Sequence, residues 1–552
     1  MQRDLEFIVP DACGLEGPGE IQPYRNVMIS TAGVQSSGPA VGVRSGRSIS
    51  LLTGDAVRSW LDREANLAGW RTLYSECPWG TLFQTPEFFR VWFEHYRSRW
   101  LPVLVVECDH GKLSGLMPLA AADGIVTGVG AHQAEYHAWL SAPNGRVEFF
   151  AAAVDEVLKG FPGHDLRLRY LPPGVPQDSV KLLLDRDGRA IVRTHRRPLL
   201  TLDAGAIHET LKKKGTRSKI NRLKRKGALT IRRLTQEEFE QRIDEISAMY
   251  DFRQGAINDS CPFLDDAQKR PFHLDWVRTM PNAVHVSGMF IGEQLASAII
   301  FALSKREAHV AITAHSPEHA ENSPGKIHLY EAALALAREG FAHIDLTPGG
   351  EDWKFRSGTE GDEVFDLTVF ANARKAALVR ARDGVSAAAK SLLSVVRNKF
   401  GLAGARLPTS VNDAPETVIC ATSPLPPRAT PSPANVRAND LSLLLKFGPG
   451  VARLSRQAFL LVALSRMQAG ERCYALSTQQ GIAGMGWRGA DATAIRLFDF
   501  AFEKGANASS ASEAIIRSML ADTEIRAGML RVSFPIADTV LRSALQCLGF
   551  LG

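Results

Sequence analysis

Four side chains within one stretch, His315, Glu318, His319 and Asp345, are of the types that take a proton from a nucleophile. Asp345 lies on a short apolar strand between Ile344 and Leu346, where a carboxylate is costly without a partner. Lys354, later in the loop GGEDWKF, is the partner the spacing offers, or else a contact for a phosphate. The plainer reading of these two residues is a buried Asp–Lys pair that fixes the loop. His315 closes an apolar run, and its imidazole ordinarily titrates near neutrality; a core or capping histidine is its plainer alternative. Between the candidates, Asn322-Ser323-Pro324-Gly325-Lys326 leads out of a polar loop into a helix, and the unpaired N–H groups at such a start hold anions. These residue types and spacings describe proton removal beside a held anion.

The elements that must position them run from Ala283 to Gly358. AVHVSGMF, LASAIIFAL and AHVAITAHS are apolar runs separated by brief polar turns, which predicts an antiparallel meander. In KIHLYEAALALAREG, Leu329, Ala332, Ala333, Leu336 and Ala337 recur at three- and four-residue steps and predict a helix packed on the sheet. The short strand AHIDLTP then carries Asp345. Upstream, RLTQEEFEQRIDEISAMYDFRQ predicts a helix with Phe239, Ile243 and Ile246 inward and Arg253 near its end.

At this stretch the chain resembles the GNAT acyltransferases. The wording ENSPGKIHLYEAALALAREGFAHIDLTPGGEDWK is similar to the CelD-like, or BioF2-like, GNAT domain of polysaccharide gene clusters, and the similarity extends over about Asp55 to Asn372. The resemblance implies acyl-CoA as donor, acetyl-CoA in the first place, with Ser323, Gly325, Lys326 and Trp353 at the donor. It also implies Asp345, Lys354 and His315 in catalysis and Arg253 directed at the acceptor. It implies no metal. The usual GNAT phosphate fingerprint has Gly-x-Gly or Gly-x-Ala after a basic residue or Gln, whereas this sequence has a single glycine, Gly325.

The chain has 552 residues, 45% hydrophobic and 22% charged, the composition of several globular domains. The predicted fold class is α/β (α+β): tandem GNAT-like mixed sheets flanked by helices, with a third, smaller GNAT-like C-terminal domain. The predicted boundaries are a flexible lead at 1–54, a first unit at 55–203 and a second, catalytic unit at 204–385. A basic helix and Pro-rich linker follow at 386–439, then a degenerate GNAT-like domain at 440–552. No apolar run approaches the length of a membrane helix, and the start lacks a signal-peptide pattern, so a cytoplasmic protein without membrane insertion is expected. Seven scattered cysteines show neither a disulfide framework nor zinc spacing.

The segment KKKGTRSKINRLKRKG, residues 212–227, holds nine Lys or Arg and no acid, while the rest of the chain is mildly acidic. Leu211, Ile220 and Leu223 form a thin apolar seam on it, and the cations call for a polyanion: phosphates of coenzyme A, of a nucleotide or lipid-linked sugar, or of a tRNA. Three functions are consistent with the sequence. One is acyl transfer from acyl-CoA to a saccharide amine or hydroxyl or a small amine, in envelope polysaccharide synthesis. The second is Fem-like peptidyl transfer from aminoacyl-tRNA, and the third a non-catalytic accessory role. DNA is not an expected partner.

Overall fold

The computed structural model describes residues 46–142, 147–186, 188–383, 416–421, 435–446, 454–478, 481–490, 494–502, 508–521, 529–535 and 539–547. Leu5–Val9, which reads as a strand in the otherwise aperiodic lead, and most of the Pro-rich stretch lie outside them. Among the described residues, nineteen strands form two sheets. In the larger sheet the first unit supplies β1 (Arg47–Thr53), β2 (Leu101–Asp109), β3 (Lys112–Ala122), β4 (Ile125–Gly128), β5 (Leu140–Ser141), β6 (Asp165–Leu171) and β7 (Ala190–Thr201). The second supplies β8 (Leu229–Arg233), β9 (Val284–Ile291), β10 (Gln294–Ser304), β11 (Glu307–His315), β12 (His343–Asp345) and β13 (Glu360–Val369). The smaller sheet holds β14 (Glu416–Ala421), β15 (Val436–Ala438), β16 (Arg472–Thr478), β17 (Gly481–Ala490), β18 (Ala494–Phe502) and β19 (Met529–Pro535).

One pattern occurs three times. An antiparallel meander (β2-β3-β4, β9-β10-β11, β16-β17-β18) is followed by a helix and then a strand parallel to the last of the three: β6 beside β4, β12 beside β11, β19 beside β18. The next position in each sheet is taken by an antiparallel strand from elsewhere in the chain. β13, the last strand of the second unit, lies beside β6 of the first; β7, the last of the first, lies beside β12 of the second; β14 lies beside β19. Because β7 and β13 also pair with each other, the two units share one continuous sheet.

Local chemistry sets the helices. Thr235 and Glu238 form a capping box at the start of Gln236–Asn258, whose Phe239, Ile243 and Ile246 are fully buried. Thr85 caps Pro86–Tyr96, with Pro86 at a permitted first-turn position. Four expectations need correction. VRSWLDREANLAG, in which Val57, Trp60, Leu61 and Leu67 fall on one face and predict a single helix, divides into two, Asp55–Leu61 and Glu64–Glu76. The lead contributes β1, which pairs with β2, because RSISLLT is a β-branched, apolar run beside an open edge. YHAWLSA, which reads as a strand in the sequence, gives only the two-residue β5, for reasons given below. The stretch read as a linker contributes β14 and β15.

Candidate active site

β11 and β12 pair in parallel only from Glu307↔His343 to His309↔Asp345, yet β11 runs on to His315. Along this free arm Ala311, Thr313 and His315 are half-buried, while Ile312 and Ala314 between them are buried. One face of the arm is therefore packed in the core, and the other, half-covered, borders the gap in strand pairing beyond His309 and Asp345, called the opening below. At the end of the arm the helix Pro324–Arg338 begins. Its N-cap Ser323 is left-handed (φ 51°) and caps it with no side-chain bond. Pro324 has no N–H, so the amides of Gly325 and Lys326 are first-turn donors with no preceding helix carbonyl to meet.

Cations gather at this turn. The basic segment forms a helix, Lys214–Lys226, whose Lys219 Nζ donates to Ser323 Oγ at 2.7 Å and whose Lys226 Nζ lies 3.4 Å from Glu321 Oε1. Gly325 packs against His315, close enough that an added Cβ would stand 3.3 Å from Nδ1. Ser323, Gly325, Lys326 and His315 thus share one corner, with Lys326 exposed and its ammonium 5.9 Å from the Tyr330 ring centroid. Burial pushes the His315 imidazole down to about 4, with the Arg253 charge adding to the effect, so the ring is a neutral base at physiological pH.

Asp345 lies at the root of the opening and is fully buried. Its partner is Arg197 rather than Lys354. Asp345 Oδ2 accepts from Arg197 Nη1 at 3.2 Å, from His309 Nδ1 at 2.9 Å and from the Tyr136 hydroxyl, while Oδ1 accepts from the Thr347 amide at 2.7 Å. Burial alone would raise the carboxyl, but the His309 bond and the charges of His309 and Arg197, with Tyr136, hold it down at about 2. Arg197 also binds Glu307 (2.9 Å) and Asp362 (2.7 Å). A carboxylate with both oxygens committed to four donors suits a pin more than a proton acceptor.

Lys354 Nζ instead donates to Thr347 Oγ1 (3.0 Å) and Pro348 O (3.3 Å) and pairs with Glu351 at 3.3 Å, fixing the loop that leaves β12. That loop ends in a short helix, Asp352–Ser357. Arg253 Nη2 lies 3.5 Å from Glu351, so Arg253, Glu351 and Lys354 form a chain of charges. Burial opposes ionisation of Glu351, yet Lys354 and Arg253 hold its carboxyl below the usual range. Trp353 packs, half-buried, against the core that contains Leu200 and Leu346. Glu318 is turned to a different neighbour, accepting from Asn439 Nδ2 at 2.5 Å; His319 is buried, and among the described residues neither ring nitrogen has a hydrogen-bond partner.

Glu307, His309 and Asp345 bring ligand atoms within 4.8 Å of one another, a donor set that suits a cation. The Arg197 guanidinium already bonds to both carboxylates and supplies that positive charge, so a metal would have to displace it. These residues fit an ion-pair cluster better than a metal centre.

Arg197 and His309, the partners of Asp345, were missed in the sequence, and so were Glu135 and Tyr136, which come with Arg197 from the first unit. Segment 131–139 is pinned on both sides of Glu135: Lys269 Nζ donates to Gln133 Oε1 (2.7 Å), Tyr136 bonds to Asp345, and His137 exchanges two bonds with the Arg169 backbone (3.0 and 3.1 Å). These side-chain anchors explain why the segment does not form the expected strand. Glu135 itself is half-buried, 3.9 Å from Arg169. Burial pushes its carboxyl up, Arg169 and Lys354 draw it down, and Asp345 pushes it up again; the outcome is a raised pKa. Tyr250, raised to about 12 chiefly by burial, also feels the charges of Glu135 and Glu351. The signal that was available is Gly128 and Gly130, which break the strand just upstream.

A meander, a parallel strand that parts from it and an uncapped helix start at the mouth define the class of this unit. Residues 212–355 match the family model described as an acetyltransferase (GNAT) domain. No curated protein matches the chain. Among solved structures, the chain is similar to FemX at 9% identity over 56% of this chain and 96% of that one, with a TM-score of 0.39. It is similar to a tandem GNAT protein from the clavulanic acid biosynthesis pathway at 11% identity, over 59% and 99%, TM-score 0.33. A third is the C-terminal domain of a putative lysylphosphatidylglycerol synthetase from Agrobacterium fabrum, at 11% identity over 49% and 85%, TM-score 0.34.

Proposed function

We propose that this protein is an acyltransferase whose site is the opening between β11 and β12, with acyl-CoA as donor and an amine or hydroxyl, of a saccharide or a small amine, as acceptor. The observation that carries the reading is the parted strand pair with the uncapped start of Pro324–Arg338 at its mouth. Donors at Gly325 and Lys326, with Lys219 beside Ser323, suit the phosphates of such a donor. The narrower resemblance, to CelD-like domains of polysaccharide synthesis, supports a saccharide acceptor.

In this reading the acceptor's nucleophile attacks the thioester carbonyl, the new C–N or C–O bond forms, and the C–S bond breaks. The nucleophile's proton passes to a base and the thiolate leaves. Glu135 is the base in this proposal: its carboxyl is half-buried, raised by burial and held in place by its neighbours. His315, neutral and beside Gly325, orients the acyl group or takes the proton when the acceptor lies nearer the mouth. Asp345, Arg197 and Tyr136 hold the root of the opening in shape, and Lys354 with Glu351 and Arg253 forms its side.

Calorimetric titration of acetyl-CoA into the full chain tests the reading. Saturable binding is expected, weakened about tenfold by Gly325→Ala, whose Cβ would force His315 and the first-turn amides apart. No heat at millimolar donor would remove it.

A further inference from the structure

The basic helix Lys214–Lys226 does more than contact the Ser323 turn. It is seated by Leu223, which is fully buried with Met289, Ile291, Ala296 and Ile327, and by the partly buried Ile220. That seating uses the apolar seam, and Lys212, Lys213, Lys214, Arg217, Arg222, Lys224, Arg225 and Lys226 are left exposed. Among the described residues only Lys212 and Lys226 of this set form ion pairs, with Glu209 and Glu321. Lys212, Lys214, Arg217 and Arg225 line one shallow depression together with Ser218 and Asn221.

Cations held this close without counter-charges repel one another, so the surface is stabilised by an anionic partner. We propose that this face is a docking surface for a membrane bearing anionic phospholipid headgroups. The chemistry of the face favours that partner over a nucleic acid strand. Six of its nine cations are lysines, compact charges without the planar fork that grips single phosphates, and the segment carries no aromatic residue on which a base would stack. A fan of exposed lysines on a seated helix suits a broad anionic plane, where each cation contributes independently. With no exposed apolar residue on the helix, the association is peripheral, reversible and salt-sensitive, and no helix of the described residues is long and apolar enough to cross the membrane. Through Lys219 and Ser323 the same helix touches the mouth of the opening, so docking sets that mouth beside the headgroups. The inference stands on the surface alone and survives failure of the acyltransferase reading.

Sedimentation of the full chain with vesicles of phosphatidylcholine, alone or mixed with phosphatidylglycerol, tests it. Binding is expected only to the mixed vesicles at about 0.1 M salt and is expected to be lost by about 1 M. The variant Lys213→Glu/Lys214→Glu/Arg217→Glu/Arg225→Glu is expected to bind at least about a hundredfold more weakly, since each cation near an anionic surface is worth roughly fivefold. Lys214→Gln/Arg217→Gln, a milder change that spares the fold, is expected to lose roughly tenfold or more. Arg90→Glu/Lys181→Glu, exposed elsewhere, is expected to bind as the parent does. Equal binding to both vesicle types, no binding to either, or preferential capture of a single-stranded RNA homopolymer in competition would overturn the proposal.

Discussion

The first and second units contain the same fork and use it in opposite ways. In the second, β11 and β12 separate after three paired residues, and the free arm presents Ala311, Thr313 and His315 to an opening edged with charge. In the first, β4 and β6 also pair in parallel over three residues, from Ile125↔Asp165 to Thr127↔Arg167, and β6 runs on to Leu171. There the gap is filled by the unit's own segment 131–139. His137 satisfies both the carbonyl and the amide of Arg169, as a neighbouring strand would. Gly128 makes room for it: a Cβ there would stand 2.3 Å from His137 Cγ. Burial pushes His137 down to about 4, so it stays neutral and works as a structural bridge. A fork filled by its own loop cannot hold a donor, but the loop is thereby held firmly enough to extend Glu135 and Tyr136 into the other fork. The difference between the two forks follows from what occupies the gap, since each pair is parallel over only three residues.

The largest expected effect tests the root of the open fork. Arg197→Met should destabilise the chain by about 3–5 kcal/mol in urea denaturation, because Asp345, Glu307 and Asp362 lose their shared counter-charge. The same cluster sets an acid limit. Asp345 is lowered in the folded state, so its contribution is present above the ordinary carboxylate pKa and is lost as pH falls from about 4 towards about 2. An unchanged unfolding midpoint for Arg197→Met would show that the root is not a pin.

Next comes the contribution of the filled fork to the open one. Glu135→Gln should lower acyl transfer about 10²-fold or more and abolish the acid limb of the rate profile, which should lie above the usual carboxylate range, with folding little changed. Equal rates and pH profiles for parent and variant would return the base to His315.

The smallest effects come from paired glycines. Gly128→Ala should cost about 1–3 kcal/mol, since His137 is bonded on three sides and cannot retreat. Gly325→Ala meets only the edge of the His315 ring at 3.3 Å and should shift stability by about 0.5 kcal/mol or less while weakening the donor. Equal stability losses at the two positions, read by thermal melting, would mean that both forks are filled.

Much of this architecture was legible because it is local. The meander, the helix with Phe239, Ile243 and Ile246 inward, and the turn at Ser323 follow from periodicity and from Pro and Gly placement. The site was half legible for the same reason: the corner of His315, Ser323, Gly325 and Lys326 is built from a few consecutive elements. The partners of Asp345 were not, since Arg197 and Tyr136 lie 148 and 209 residues away and only the sheet brings them together. Lys354 was the first cation after Asp345 in sequence, which made it the natural choice, yet it is bound to its own loop. Arg197 did leave a trace, a charge directly before the apolar run Pro198–Leu200 that a packed strand would have to neutralise.

The exchange of β7 and β13 ties the first two units into a single inheritance. A polypeptide severed near residue 203 would give two fragments, each holding the strand that completes its sibling's layer, and neither would own a finished interior. The pair must melt as one cooperative body, and any rearrangement of the gene that parted them would have to carry a spare strand across.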